Sequence, residues 1–285
     1  MLWLTLLPLI SGYAIYSLFF EDDEPSESAN ETPDEETVET IYGNETGQWI
    51  TRLFAEHDIE AFLGEGGDQI QTGSGNDTII DAGGNNLLLP RAGNNYVEAG
   101  DGNDAIYASN GDDTLLGGGG DDDIRGGAGA DLLIGGRGDD TVSGGDGDDT
   151  LTSAYGLDYL SGDDGNDVIS SVEAFSTSLG DTVDGGDGDD LLRGDQNDIL
   201  TGGADADSFQ VEVDGDRISA TEFGPVLITD LDPATETIQI ELATGDTGTI
   251  TQGTDPDTGD AVVFVDGTVV AVLQGVTPAQ MGWTA

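Results

Sequence analysis

Residues 117–152 read GGGGDDDIR, GGAGADLLI, GGRGDDTVS and GGDGDDTLT when set in nines. Self-similarity at a fixed period outranks any local propensity, and the frame extends in both directions. The sixth position then reads Asp68, Asp77, Asn86, Asn95, Asp104, Asp113, Asp122, Asp131, Asp140, Asp149, Asp158 and Asp167. The fourth position is Gly throughout, from Gly66 to Gly165, and the eighth is aliphatic throughout, from Ile70 to Ile169. Three columns keep register over 108 residues, which low-complexity drift does not do. Five residues are inserted near Ser171–Phe175. The pattern resumes at Asp181/Val183 and Asp190/Leu192, loses one residue and ends at Asp207/Phe209.

Each column has its own physics. Glycine supplies positive φ and lets backbones approach, so the Gly-rich half of each nonapeptide reads as a tight turn. One aliphatic residue per nine suits a very short strand with a single inward side chain. No repeat can bury that face alone, so the core comes from stacking. Two turns close a coil of 18 residues, and side chains 18 apart, such as Asp122 and Asp140, share a column. At a coil spacing of about 4.8 Å a column of carboxylates repels itself unless a cation lies between coils. Asp oxygens and turn carbonyls are hard oxygen ligands that select Ca²⁺, with no thiolate in the chain to favour zinc or copper.

The four units of 117–152 resemble the RTX, or hemolysin-type, calcium-binding nonapeptide G-G-x-G-x-D-x-U-x. The resemblance spans roughly residues 63–210 and implies an all-β fold: a right-handed parallel β-roll with a C-terminal β-strand cap, here preceded by an N-terminal hydrophobic helix. It implies several Ca²⁺ ions held between loops two repeats apart, each by sixth-position aspartates and by carbonyls of the Gly-rich loops. On this sequence the aspartates are Asp68, Asp77, Asp104, Asp113, Asp122, Asp131, Asp140, Asp149, Asp158, Asp167, Asp181 and Asp190. The loop glycines are Gly118, Gly127, Gly136 and Gly145 at the second position and Gly120, Gly129, Gly138 and Gly147 at the fourth. Asn86 and Asn95 carry no charge, and Pro90 and Arg91 stand where Gly is expected, so this segment is expected to bind Ca²⁺ weakly or not at all. The best sites are expected between Asp104 and Asp149, with a second group around Asp167 and Asp190. Second acids at the fifth position (Asp112, Asp121, Asp139, Asp148, Asp189) are read as adding negative potential and no more.

Composition divides the rest. Residues 1–20 carry no charged side chain and would span about 30 Å as a helix, enough to cross a bilayer core. They are read as a membrane anchor, with a cleaved signal peptide and a buried apolar segment as alternatives. Residues 21–45 form an acidic Pro/Ser/Thr tract, read as a disordered spacer. Residues 46–62 are read as an N-terminal cap, 63–210 as the roll and 211–285 as a β cap. Within the last, AVVFVDGTVVAVLQGVT (Ala261–Thr277) is a hairpin signal around Asp266-Gly267. The resemblance places an uncleaved type I secretion signal in that region.

With 59 acidic side chains against 6 Lys+Arg the formal charge is −53, which excludes binding to a nucleic-acid phosphate backbone. Zero Cys removes disulfides, thiolate metal sites and a thiol nucleophile. The single His57 is read as a surface residue, and no metalloprotease helix motif or nucleophile elbow is present. The stretch upstream of the roll is too short for a catalytic domain. The expected function is therefore non-enzymatic: a secreted or surface-exposed calcium-binding module that folds on meeting Ca²⁺ outside the cell. The alternatives are an accessory module that binds polysaccharide or another cell surface, discriminated by an exposed aromatic stripe, and a catalytic fragment acting on acidic polysaccharide.

Overall fold

A computed structural model describes residues 38–43, 47, 49–51, 57–172, 180–213, 224–242 and 248–281. The hydrophobic helix and anchor expected over 1–20 lie outside these residues, as does most of the acidic tract. Among the described residues every regular element is a strand, and no helix is long and apolar enough to cross a membrane.

The strands form two sheets, one of eleven and one of thirteen, in which each strand before the C-terminal meander pairs with the next but one in sequence. That alternation makes a parallel β-solenoid. Register follows the period: Ile124 lies between Ile106 and Val142, and Leu133 between Leu115 and Leu151, each step being 18 residues. The ladders start upstream of the nonapeptides. Glu39–Tyr42 pairs with Ile59–Phe62, and Trp49–Thr51 with Gln69–Gln71, all parallel.

The eighth-position side chains are the core. From Ile70 to Ile169, and onward through Val183, Leu192, Leu200 and Phe209, each is at most 1% exposed. Burying such a side chain contributes roughly 1.5–3 kcal/mol, so every coil adds two modest increments to one continuous column.

The breaks in period are absorbed without a break in pairing. Asp158 bonds to Asp181 across 23 residues, and Asp181 to Asp198 across 17, while Thr182 still pairs with both Tyr159 and Ile199. The five extra residues are thus confined to the connection before Thr182. The shorter step comes from Gly194–Thr201, a repeat of eight.

At the C-terminal end Val226–Ile228 pairs in parallel with Thr268–Leu273, after which the sheet turns antiparallel through Ala261–Val265 and Ile250–Thr254. Val265 pairs with Thr268 around Asp266 (φ 51°) and Gly267 (φ 85°), the two successive positive φ values of a type I′ turn. The expected hairpin is present. Ala271 and Leu273 are fully buried in the same apolar cluster as Leu200 and Ile228, so the meander continues the core past the last coil.

Glycine at the fourth position is dictated by the stacking. Gly138 has φ +116°, and a Cβ there would overlap the carbonyl oxygen of Gly120 in the preceding coil. Gly259 also has positive φ (+86°), but a Cβ there meets nothing within 4 Å. Gly259→Ala is expected to cost about the left-handed penalty alone, roughly 1–2 kcal/mol. Gly138→Ala should cost clearly more in thermal unfolding of the same chain, because a coil must also move. Equal losses would contradict the close approach.

Candidate metal centre

The turn between successive strands brings the sixth-position residue inside. All twelve expected aspartates are buried, none more than 3% exposed. They form two columns, one per edge of the solenoid: Asp68, Asp104, Asp122, Asp140, Asp158 and Asp181 on one, Asp77, Asp113, Asp131, Asp149, Asp167 and Asp190 on the other. Asn86 completes the first and Asn95 the second. Asp198 and Asp207 extend them, at 0% and 1% exposure. Asp207 is the last acid of the legible pattern, whereas the eight-residue repeat hides Asp198.

One carboxylate oxygen of each column member has a fixed duty. It accepts the backbone N–H of the residue below it: Asp122 from Asp104 at 2.8 Å, Asp140 from Asp122 at 2.9 Å, Asp149 from Asp131 at 2.7 Å. In ten of them the second oxygen has none. Oδ2 of Asp77, Asp104, Asp113, Asp122, Asp131, Asp149, Asp158, Asp167, Asp190 and Asp207 is buried without a hydrogen-bond donor. In the glycine-rich repeats it faces the first glycine of its own nonapeptide. A Cβ built on Gly117 would overlap Asp122 Oδ2 and lie 2.8 Å from the Gly135 carbonyl oxygen of the next coil. Gly126 stands in the same relation to Asp131 and Gly144, and Gly144 to Asp149 and Gly162. A carboxylate oxygen and a carbonyl oxygen therefore converge on a place without a donor, a pairing of acceptors that suits a hard cation and nothing softer. No group of three acidic or His side chains comes together among the described residues, so a cation here would draw its remaining ligands from backbone carbonyls.

Substitutions in the repeat close that place. Ser153, at a first position, donates its hydroxyl to Asp140 Oδ2 at 3.1 Å, and Ser171 donates to Asp198 Oδ2 at 2.9 Å. Asn86 puts an N–H where aspartate has its second oxygen and donates it to the Ala99 carbonyl at 3.3 Å; Asn95 donates to the Gly93 carbonyl at 2.9 Å. The Asn86 amide thus reaches the next-coil carbonyl that faces a carboxylate oxygen in the glycine-rich repeats, whereas the Asn95 amide turns to a carbonyl of its own loop.

The loop glycines take the conformations the stacking requires. Gly118, Gly127, Gly136 and Gly145 have φ between 117° and 123°, and Gly120, Gly129, Gly138 and Gly147 between 116° and 140°. Arg91, at a second position, is held at φ 74°.

The fifth-position acids do more than add potential. They form a second ladder of opposite sense, accepting the N–H of the coil above: Asp112 from Ala130 at 3.0 Å, Asp121 from Asp139 at 3.0 Å, Asp139 from Leu157 at 2.9 Å. Asp148 and Asp189 do the same toward Asn166 and Ala206. Asn76, Asn94 and Asn103 serve equally in that ladder, which is why Asn and Asp interchange there. The requirement is an acceptor at a fixed place, a property of two coils together. His57, outside both columns, is part-exposed with its imidazole 3.6 Å from the Glu39 carboxylate.

Burial pushes the column carboxyls upward from an ordinary value of 3.8, to about 7 for Asp113, Asp122, Asp149 and Asp190 and about 6 for Asp104, Asp140 and Asp167. Repulsion between column neighbours adds to it, as from Asp140 and Asp104 on Asp122, while the N–H from the coil below opposes it.

The RTX calcium-binding nonapeptide repeat model, built of four copies, matches residues 62–171 in overlapping segments and again 175–209, just over half of the 285 residues. No curated protein matches the chain.

The raised values set a pH dependence for the metal-free solenoid. The folded state holds more protons than the unfolded chain between about pH 4 and 7, so the slope of stability with pH is negative there. The stabilisation is fully present below the unfolded value and is lost as pH rises through about 6 to 7. In excess chelator, lowering the pH from 7.5 to 5 should increase β structure by circular dichroism and raise the melting temperature. A metal-free chain that loses structure over that interval would contradict the buried, unpaired carboxyls.

Proposed function

The chain belongs to the RTX calcium-binding nonapeptide repeat family, and from that premise we propose that it is a non-catalytic module that folds when Ca²⁺ fills its aspartate columns, and that it does so outside the cell. The roll itself is a structural calcium-binding fold. The observation that carries the reading is the set of buried Oδ2 atoms without a donor, which in the glycine-rich repeats of Asp122, Asp131, Asp149, Asp167 and Asp190 face a backbone carbonyl across the first glycine. At neutral pH the columns need either protons or cations, and external calcium supplies the latter.

Asp104, Asp113, Asp122, Asp131, Asp149, Asp167 and Asp190 would present the charged oxygens, and the glycine loops the neutral ones. Ion binding cancels repulsion between coils a few ångströms apart, so binding energy becomes folding energy. Extracellular calcium modules have Kd values of about 10⁻⁴–10⁻³ M, above cytosolic levels and within external ones. The chain would thus remain open inside, pass through an exporter and close on arrival. Residues 1–20 would tether it to a membrane, and the region after the roll would carry the export signal the family places there.

An adhesive surface is less well supported. Tyr96 stands on the eleven-stranded sheet and Tyr159 on the thirteen-stranded one, while Tyr107 is engaged by the Arg125 guanidinium at 4.9 Å and by Asp123. The repeat tyrosines do not line one face.

In EGTA at pH 7.5 the chain should lack the β spectrum, and millimolar Ca²⁺ should restore it. A full β spectrum in EGTA, or equal folding by Mg²⁺, would overturn the reading. Asp131→Ala should shift the calcium midpoint to higher concentration by several-fold and Asn95→Ala by much less, since the two share a column and only Asp131 brings a charged oxygen without a donor. Identical midpoints would show that the carboxylate column is not the ligand.

A further inference from the structure

Asp81 occupies the first position of the repeat DAGGNNLLL (Asp81–Leu89), and no other acid occurs at that position in the repeats. Its side chain replaces the glycine against which the second oxygen of a column aspartate rests elsewhere. The column residue of that same repeat is Asn86, whose amide N–H is spent on the Ala99 carbonyl. Below Asn86 stands Asp68, which gives its N–H to Asn86 Oδ1 at 2.7 Å; above it stands Asp104, which accepts the N–H of Asn86 at 2.8 Å. The repeat that lost its carboxylate at the sixth position has thus gained one at the first.

The carboxylate is as enclosed as those of the columns. Asp81 is 4% exposed. Its Oδ1 accepts the N–H of Gly83 at 2.9 Å, and its Oδ2 is buried with no donor. Burial and the charges of Asp68 and Asp104 both act on it, so it sits within electrostatic reach of the column members on either side of Asn86. A filler residue for a tight turn would be a small neutral one, as at Ala99 and Ala108, which hold the first position in the second and third repeats after it. An acid there places an open oxygen beside a column interrupted by an amide.

We infer that Asp81 holds a Ca²⁺ ion of its own, at an off-register site in which the first-position carboxylate replaces the sixth-position one missing at Asn86. The column then carries a charged ligand through the coil where the motif is broken. This rests on the calcium reading of the columns.

The test counts ions on the full chain. Native mass spectrometry in calcium should show Asp81→Asn with one ion fewer than the unsubstituted chain, and Asp81→Gly/Asn86→Asp with that ion restored, because the second change rebuilds the sixth-position ligand beside a first-position glycine. Asp81→Gly, which installs the residue most frequent at this position, should also lose one ion and serves if the amide variant does not fold. Either single variant folded in calcium with an undiminished ion count overturns the inference. So does a double variant that stays one ion short. An unsubstituted chain that binds no calcium would instead overturn the reading of the columns.

Discussion

A carboxylate oxygen held away from water without a donor costs several kcal/mol in any protein interior, and this chain repeats that situation at most of its glycine-rich turns. Asp122, Asp131 and Asp149 each have one oxygen committed to a backbone N–H and one that faces a carbonyl. The remaining features follow from keeping those oxygens where they are. Coils must lie a strand spacing apart for the committed oxygen to reach. The turn must be bare on one side for the open oxygen to point inward. Neither condition can be relaxed without losing the other.

That dependence explains the composition better than flexibility does. A chain with this proportion of glycine and this charge would ordinarily stay unfolded. Here the glycines are ordered, because carbonyls of neighbouring coils occupy the space a side chain would need, as the Gly102 carbonyl does at Gly120 and the Gly120 carbonyl at Gly138. The apolar column, with one buried side chain per nine residues, is narrow beside the backbone entropy of ordering those nine. Burial aligns the coils, and the state of the carboxyls decides whether they remain together.

The period made the columns legible. Once Asp122 and Asp140 are 18 apart and Ile124 and Val142 keep step with them, the parallel register and the core follow. The same arithmetic located the five extra residues after Ser170. What it missed depends on two coils at once. Asp112 and Asp121 looked like surplus charge because their partners, the N–H groups of Ala130 and Asp139, are neighbours only after stacking. Asn86 was legible as a weak ligand or none, but the bond from its amide to the Ala99 carbonyl of the next coil was not. Asp198 was hidden by a repeat one residue short, and Asp81 by standing outside the column that the period singles out. The strands Glu39–Tyr42 and Trp49–Thr51 carry no nonapeptide signature, since a first coil needs the strand spacing and not the glycine turn.

The two hydrogen-bond ladders also determine what the solenoid tolerates. Sixth-position side chains reach toward the N-terminal coil and fifth-position ones toward the C-terminal coil, so each interface is tied from both sides and only to its neighbours. Stability in such a stack is a sum of coil and nearest-neighbour terms. An insertion that leaves both ties in place costs little more than its own loop closure, which grows slowly with length. Asp158 still donates its N–H to Asp181 and Asp189 to Asn166 across 23 residues, and the next step of 17 keeps both ladders too. The constant of this fold is therefore the distance between stacked turns rather than the number nine, and an acid at an unexpected position can serve a column as well as one in register.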